Sequence, residues 1–174
     1  MYRLIIFLFA ALLFAPAPAQ AQDGTAQVRL LERFSLTSVQ DLDFGRLTLD
    51  GSAGTVSINA DTSARTTTGG VTVAGGTPRR GDFVGVGQPG GIVTINRQDF
   101  PVLTRVGGTE TLTAQPLYPD SSWRRFTVLG TTYTYKFIGL DGIVTLGVGA
   151  DLAIPAGTVP GIYTGQYTLT INYF

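Results

Sequence analysis

Ile162-Tyr163-Thr164-Gly165-Gln166-Tyr167-Thr168-Leu169-Thr170-Ile171-Asn172-Tyr173 repeats with a period of two. Tyr163, Gly165, Tyr167, Leu169, Ile171 and Tyr173 share one side, and Thr164, Gln166, Thr168, Thr170 and Asn172 share the other. Successive strand side chains point to opposite faces, so this is the spacing of a strand with one side buried. Taking four such large side chains out of water is worth roughly 6 to 12 kcal/mol before ordering costs, which predicts a strand central to the core.

The chemistry upstream is of the same kind. Glycine is abundant, at 23 residues, and threonine and valine recur, while long stretches of Ala, Leu, Glu and Lys are missing beyond the N-terminus. Glycine serves tight turns, and Thr and Val suit a pleated surface. Read for period two, strands are expected at 26–39, 43–49, 54–60, 70–74, 82–87, 91–97, 109–115, 125–129, 132–138, 142–148, 150–154 and 162–173. Turn signals separate them: Asp50-Gly51, Gly75-Gly76, Pro89-Gly90-Gly91, Gly107-Gly108, Asp141-Gly142 and Pro160-Gly161. Short strands at this spacing predict an all-β fold, an antiparallel β-sandwich. In the first segment Leu30 and Leu31 are adjacent and break the alternation, and a bulge or a change of sheet would restore it.

The N-terminus reads differently. Met1-Tyr2-Arg3 puts one positive charge ahead of an apolar run from Leu4 to Phe14, too short to span a bilayer as a mature helix. Pro16 and Pro18 follow, and Ala19 and Ala21 fit the small-x-small rule of signal peptidase. The expectation is a signal helix over residues 1–21, cleaved after Ala21, and a single domain over 22–174. The mature chain is then expected in the periplasm, at the cell surface or secreted, with no membrane span of its own.

The chain has 12 basic and 12 acidic side chains, a balance that does not attract nucleic acid. The pairs Arg79-Arg80 and Arg124-Arg125 are the local concentrations of positive charge, and both read as solvated loop or strand-edge residues. With no histidine and no cysteine, the sequence has no histidine base, cysteine nucleophile, Ser-His-Asp triad or nitrogen and sulfur site for zinc. No catalytic residue, cofactor site or metal site is therefore expected. Asp41 and Asp43 are the nearest carboxylate pair and read as turn residues leading into a strand. Asp50 and Asp61 lie in loops without the ligand spacing of a calcium site.

Two short motifs mislead. Asp43-Phe44-Gly45 spells the kinase magnesium motif without a Gly-rich loop, strand lysine or catalytic loop. Gly85-Val86-Gly87-Gln88-Pro89-Gly90 spells the dinucleotide fingerprint, but the strand-like Gly91-Ile92-Val93-Thr94-Ile95 follows where a helix N-terminus would have to hold pyrophosphate. It reads as a hairpin loop.

Leu42-Asp43-Phe44-Gly45 after a long first strand, together with the run from Gly161 to Tyr173, resembles a family of small secreted proteobacterial proteins classed as a domain of unknown function. That family is similar to spore coat protein U and to chaperone-usher pilins. Gly54-Thr55-Val56, Thr67-Thr68-Gly69-Gly70-Val71 and Gly149-Ala150-Asp151-Leu152 fit as well, so the likeness covers most of 26–174. The resemblance implies an immunoglobulin-like, pilin-like sandwich whose last strand a periplasmic chaperone or a like subunit grips by strand pairing. Gly161, Tyr163, Gly165, Tyr167, Leu169, Ile171 and Tyr173 are the residues it assigns to that edge, Tyr173 as penultimate aromatic and Gly161 as the glycine near the strand's start. Two features depart from pilins. The disulfide that joins their first two strands cannot form here, and only about twenty residues separate Gln22 from Leu42, most of them needed for the first strand.

The expected function is that of a non-catalytic exported structural or surface-assembly protein, a pilus-, fimbria- or coat-like subunit that polymerises or completes its own sandwich. The alternative is a secreted glycan- or surface-binding module, an adhesin, presenting Trp123, Tyr118, Tyr133 and Tyr135.

Overall fold

Val144, Leu146, Val148, Ala150, Leu152 and Ile154 form the longest uninterrupted buried alternation, and the fold is assembled around the strand that carries them. The structure is a computed structural model that describes residues 33–96, 101–118, 121 and 123–174. The expected signal segment and residues 26–32 of the first strand lie outside the described residues.

Twelve strands follow one another: β1 (Ser35–Gln40), β2 (Arg46–Ile58), β3 (Arg65–Gly75), β4 (Gly81–Val86), β5 (Ile92–Asn96), β6 (Val102–Arg105), β7 (Thr111–Leu117), β8 (Arg124–Val128), β9 (Thr131–Phe137), β10 (Ile143–Ile154), β11 (Tyr163–Thr164) and β12 (Thr170–Tyr173). There is no helix among the described residues. One sheet runs β1-β4-β10-β7-β6-β11, with β2 on β10 and β3 on β2, and the other runs β12-β5-β9-β8. Every pairing is antiparallel, an arrangement consistent with a β-sandwich.

β10 joins two core clusters. Its first half pairs with β4 and sends Val144, Leu146 and Val148 into a cluster with Val93, Ile95, Tyr118, Trp123 and Ile138. Its second half pairs with β2 and β7 and sends Ala150, Leu152 and Ile154 into a cluster with Val56, Val71, Leu112 and Ala114. Where the sequence suggested two strands, 142–148 and 150–154, there is one of 12 residues. A Cβ at Gly149 would lie against the backbone of Ile58 and Ala60, so the glycine marks a close approach rather than a break.

Other differences have local causes. Asp50-Gly51 sits inside β2 as a bulge, at a register shift between Leu49 and Gly54, with Asp50 Oδ1 accepting the Ser52 N–H at 2.8 Å. The strands expected at 43–49 and 54–60 are therefore one. β6 has four residues, too few to show a period. Gly85 and Val86 belong to β4, and only the residues after them turn, with the Gly91 N–H on the Gln88 carbonyl at 3.0 Å.

The C-terminal segment needs the largest correction. Rather than one strand central to the core, 162–173 contains β11, which pairs β6 in the first sheet, and β12, which pairs β5 in the second. Among the described residues both are the last strand of their sheet, so the segment is an edge ribbon that passes from one sheet to the other. Its sidedness is as expected: Tyr163, Tyr167, Leu169, Ile171 and Tyr173 are half-buried, while Thr164, Gln166, Thr168 and Asn172 are exposed.

Candidate partner-binding rim

Among the described residues, β1, β3, β8 and the β11–β12 ribbon each have a strand partner on one side only. An unpaired edge is a template for another chain, and proteins usually blunt it with charge, proline or a bulge. β8 carries Arg124 and Arg125, and β3 meets β2 through two register shifts and contains Gly69 and Gly70. From Gly161 to Phe174 there is neither a charged residue nor a proline, and neither ribbon ladder is shifted. β1 is also uncharged, with one register shift near its end, between Ser38 and Gln40.

The ribbon is held from below by rings seated on glycines. Along β4 and just past it, Gly81, Phe83, Gly85 and Gly87 follow a period of two and face inward. A Cβ at Gly81 would strike the Tyr167 hydroxyl, and one at Gly85 would strike the Phe34 ring. At Gly87 it would lie 2.6 Å from the Tyr173 hydroxyl and 2.8 Å from the Phe34 ring. Absent side chains thus make the floor on which Phe34, Tyr167 and Tyr173 lie. Phe83 meets Tyr167 edge to face at 5.8 Å, and Phe34 meets Tyr173 in the same way at 6.0 Å. The Tyr173 hydroxyl accepts the Gln88 N–H at 2.7 Å. Phe34, immediately before β1, therefore links the start of that strand to the end of the ribbon.

The expected edge residues fall into two groups. Tyr167, Leu169, Ile171 and Tyr173 pack on the β4–β10 cluster, and Tyr163 packs on the other, its hydroxyl donating to the Val159 carbonyl at 2.7 Å. Gly161 and Gly165 are exposed but closely approached: a Cβ at Gly161 would lie 2.7 Å from Arg105 Cδ, and one at Gly165 would lie against the Val102 carbonyl and 3.1 Å from Leu103 Cα. Arg105 is fixed in turn by Glu110, with Nε to Oε2 at 2.7 Å, and this bond holds the Glu110 carboxyl down at about 2. Burial pushes the Tyr167 hydroxyl up to about 12, reinforced by charge on Tyr118, Asp41 and Asp82. Phe34, Gly81, Phe83, Gly85 and Gly87 complete the site and were missed in the sequence, although the Gly-x-Phe-x-Gly-x-Gly period of 81–87 was the available signal.

Asp43 serves a turn, its Oδ1 accepting the Gly45 N–H at 2.7 Å, whereas Asp61 ties its loop to a distant one, its Oδ1 accepting the Ser121 N–H at 3.0 Å. Asp41 and Asp43 line an open cleft of about 530 Å³ with Ser38, Val39, Gln40 and Arg79. Of the basic pairs, Arg80 is not a free surface residue: it meets Asp82 and donates to the carbonyls of Ala60 and Asp61. Trp123 and Tyr118, offered as ligand-presenting aromatics, are 7% and 6% exposed and belong to the core. Tyr133 and Tyr135 lie on the outer face of the second sheet.

A family model described as a domain of unknown function (DUF4402) matches residues 34–173. No curated protein and no solved structure matches the chain.

Proposed function

We propose that this chain, which belongs to the DUF4402 family of domains of unknown function, is a non-catalytic exported subunit of a surface assembly that engages its partner by strand pairing along the β11–β12 ribbon. The proposed fold is the immunoglobulin-like, pilin-like form of the sandwich, and the partner is a periplasmic chaperone or a second subunit. One observation carries the reading: the C-terminal ribbon is an edge in both sheets, and it lacks the charge, proline or bulge that keeps edges solitary. Its inner side is anchored by Tyr167 and Tyr173 on glycines, which seats the edge against the core.

The test is co-expression of the full chain with a chaperone encoded beside it, read by co-purification. Thr164→Lys and Thr168→Lys place charge on the exposed side of the ribbon without touching the core. The wild-type chain is expected to co-purify and the double variant to lose the partner. A wild-type chain that never binds, or a double variant that binds as well, overturns the proposal.

A further inference from the structure

The outer face of the β12-β5-β9-β8 sheet carries a cluster of rings that the strand-pairing rim does not use. Arg124 pairs with Tyr135 and Phe126 with Tyr133, and Ile92 pairs with Phe137, so Phe126, Tyr133, Tyr135 and Phe137 share one face, with Arg124 beside Tyr135 on the same side. The opposite face takes Val93, Ile95 and Ile138 into the core. Phe126 stacks on Tyr133 at 5.1 Å and meets Tyr135 edge-on at 5.3 Å, and Tyr135 meets Phe137 at 5.8 Å. Phe174 joins from the end of the chain, edge-on to Phe126 at 5.6 Å and to Tyr133 at 6.1 Å.

This face is wet where it is most apolar. Phe174 is 69% exposed, Phe137 59%, Val128 49% and Tyr133 37%, and Leu129 at the tip of the β8–β9 hairpin is fully exposed. At about 200 Å² for a whole aromatic side chain, the three rings expose on the order of 330 Å², and Val128 and Leu129 bring the patch to roughly 550 Å². That is the top of the range for the largest apolar patch of a solitary soluble protein, about 300 to 600 Å².

We infer that this face is a contact between two copies of the chain. Two such patches brought together bury about 1,100 Å², just above the roughly 1,000 Å² that a specific interface needs. A second copy supplies the same patch by definition, which suits a two-fold contact of like surface on like surface. The most exposed groups, Phe137, Phe174, Val128 and Leu129, have no side-chain polar atom with which to bind hydroxyls. Phe174 also stands edge-on over Phe126 and Tyr133, so the rings do not form the open flat platform on which a sugar would stack. The contact deepens the assembly reading but does not depend on strand pairing, because β8 and β9 take no part in the ribbon edge.

Sedimentation velocity on the full mature chain, over roughly 1 to 200 µM, tests it, since an interface at the small end of the range gives a weak dimer. The double variant Phe137→Thr, Leu129→Asn removes exposed apolar groups while keeping a strand-compatible residue and placing Asn at a positive φ of 49°. The wild type is expected to dimerise with rising concentration, and the variant to weaken the dimer at least tenfold while keeping the far-UV spectrum of the folded chain. Val86→Thr, a 52% exposed site on β4, is expected to leave the dimer intact. A wild type that stays monomeric throughout, or a dimer equally strong in the double variant, overturns the inference. So does a monomer that binds a glycan array through Phe137, which would make the occupant a sugar. A dimer that persists in Thr164→Lys, Thr168→Lys separates this contact from the strand-pairing edge.

Discussion

Gly85→Ala is the sharpest probe of the glycine floor under the ribbon. The added methyl would strike the Phe34 ring, lying 3.0 Å from Phe34 Cε2 and 2.9 Å from Val144 Cγ1. Val144 is 2% exposed and fixed in β10, so the ring is the group that must move. Overpacking of this kind costs about 1 to 3 kcal/mol, and replacing glycine in a strand returns about 0.5 to 1 kcal/mol through the unfolded chain. The expected net loss is up to about 2.5 kcal/mol, read as a lower urea midpoint at unchanged slope. Phe34→Leu in the Gly85→Ala background vacates the space the methyl needs. The pair should therefore be less damaging than the two single losses combined, with a coupling of at least about 1 kcal/mol. Strictly additive losses in the cycle would refute a floor built to seat the Phe34 ring. Rim and core are linked here, because a displaced Phe34 also leaves its edge contact with Tyr173.

Three further outcomes follow from the same packing. Trp123→Ala is expected to lower stability by about 3 to 5 kcal/mol, because the indole is 93% buried in the β4–β10 cluster; a variant as stable as wild type in urea would contradict the core role. Tyr167 is expected to ionise near 12 rather than 10, mainly because burial disfavours the phenolate. Its contribution to stability is then complete below pH 10 and lost as the pH rises towards 12, and a Tyr167→Phe variant with the same alkaline loss would count against it. Glu110, held down at about 2 first by its bond from Arg105, should stabilise the fold above its ordinary value of 4.5 and stop doing so as the pH falls towards 2. Carboxyl chemical shifts in a titration check this directly, and a midpoint near 4.5 would show that the Arg105 bond does not persist in solution.

The terminal ribbon shows what a side-chain period encodes and what it does not. Alternation says which side of a strand meets the core, and Tyr163, Tyr167, Leu169, Ile171 and Tyr173 do turn inward. It says nothing about how many neighbours the backbone has in the plane of the sheet. A central and an edge strand can therefore share one pattern, and 162–173, whose pattern predicts a central strand, is an edge in both sheets among the described residues. β10 was legible for the opposite reason, in pieces: the alternation from Val144 to Ile154 is unbroken, but Gly149 looked like punctuation because its neighbour, the Ile58–Ala60 backbone, lies far away in sequence. The same blindness hid the floor of the rim. In sequence Gly85 and Gly87 spell half of a nucleotide motif, yet together with Gly81 they share parity with Phe83, which places them on one face of β4 and the residue just past it. On a buried face a glycine that keeps parity with a large ring stands where another ring must fit. By that rule Gly81-x-Phe83-x-Gly85-x-Gly87 calls for aromatic partners from outside β4, and Phe34, Tyr167 and Tyr173, from the two ends of the matched region, are those partners.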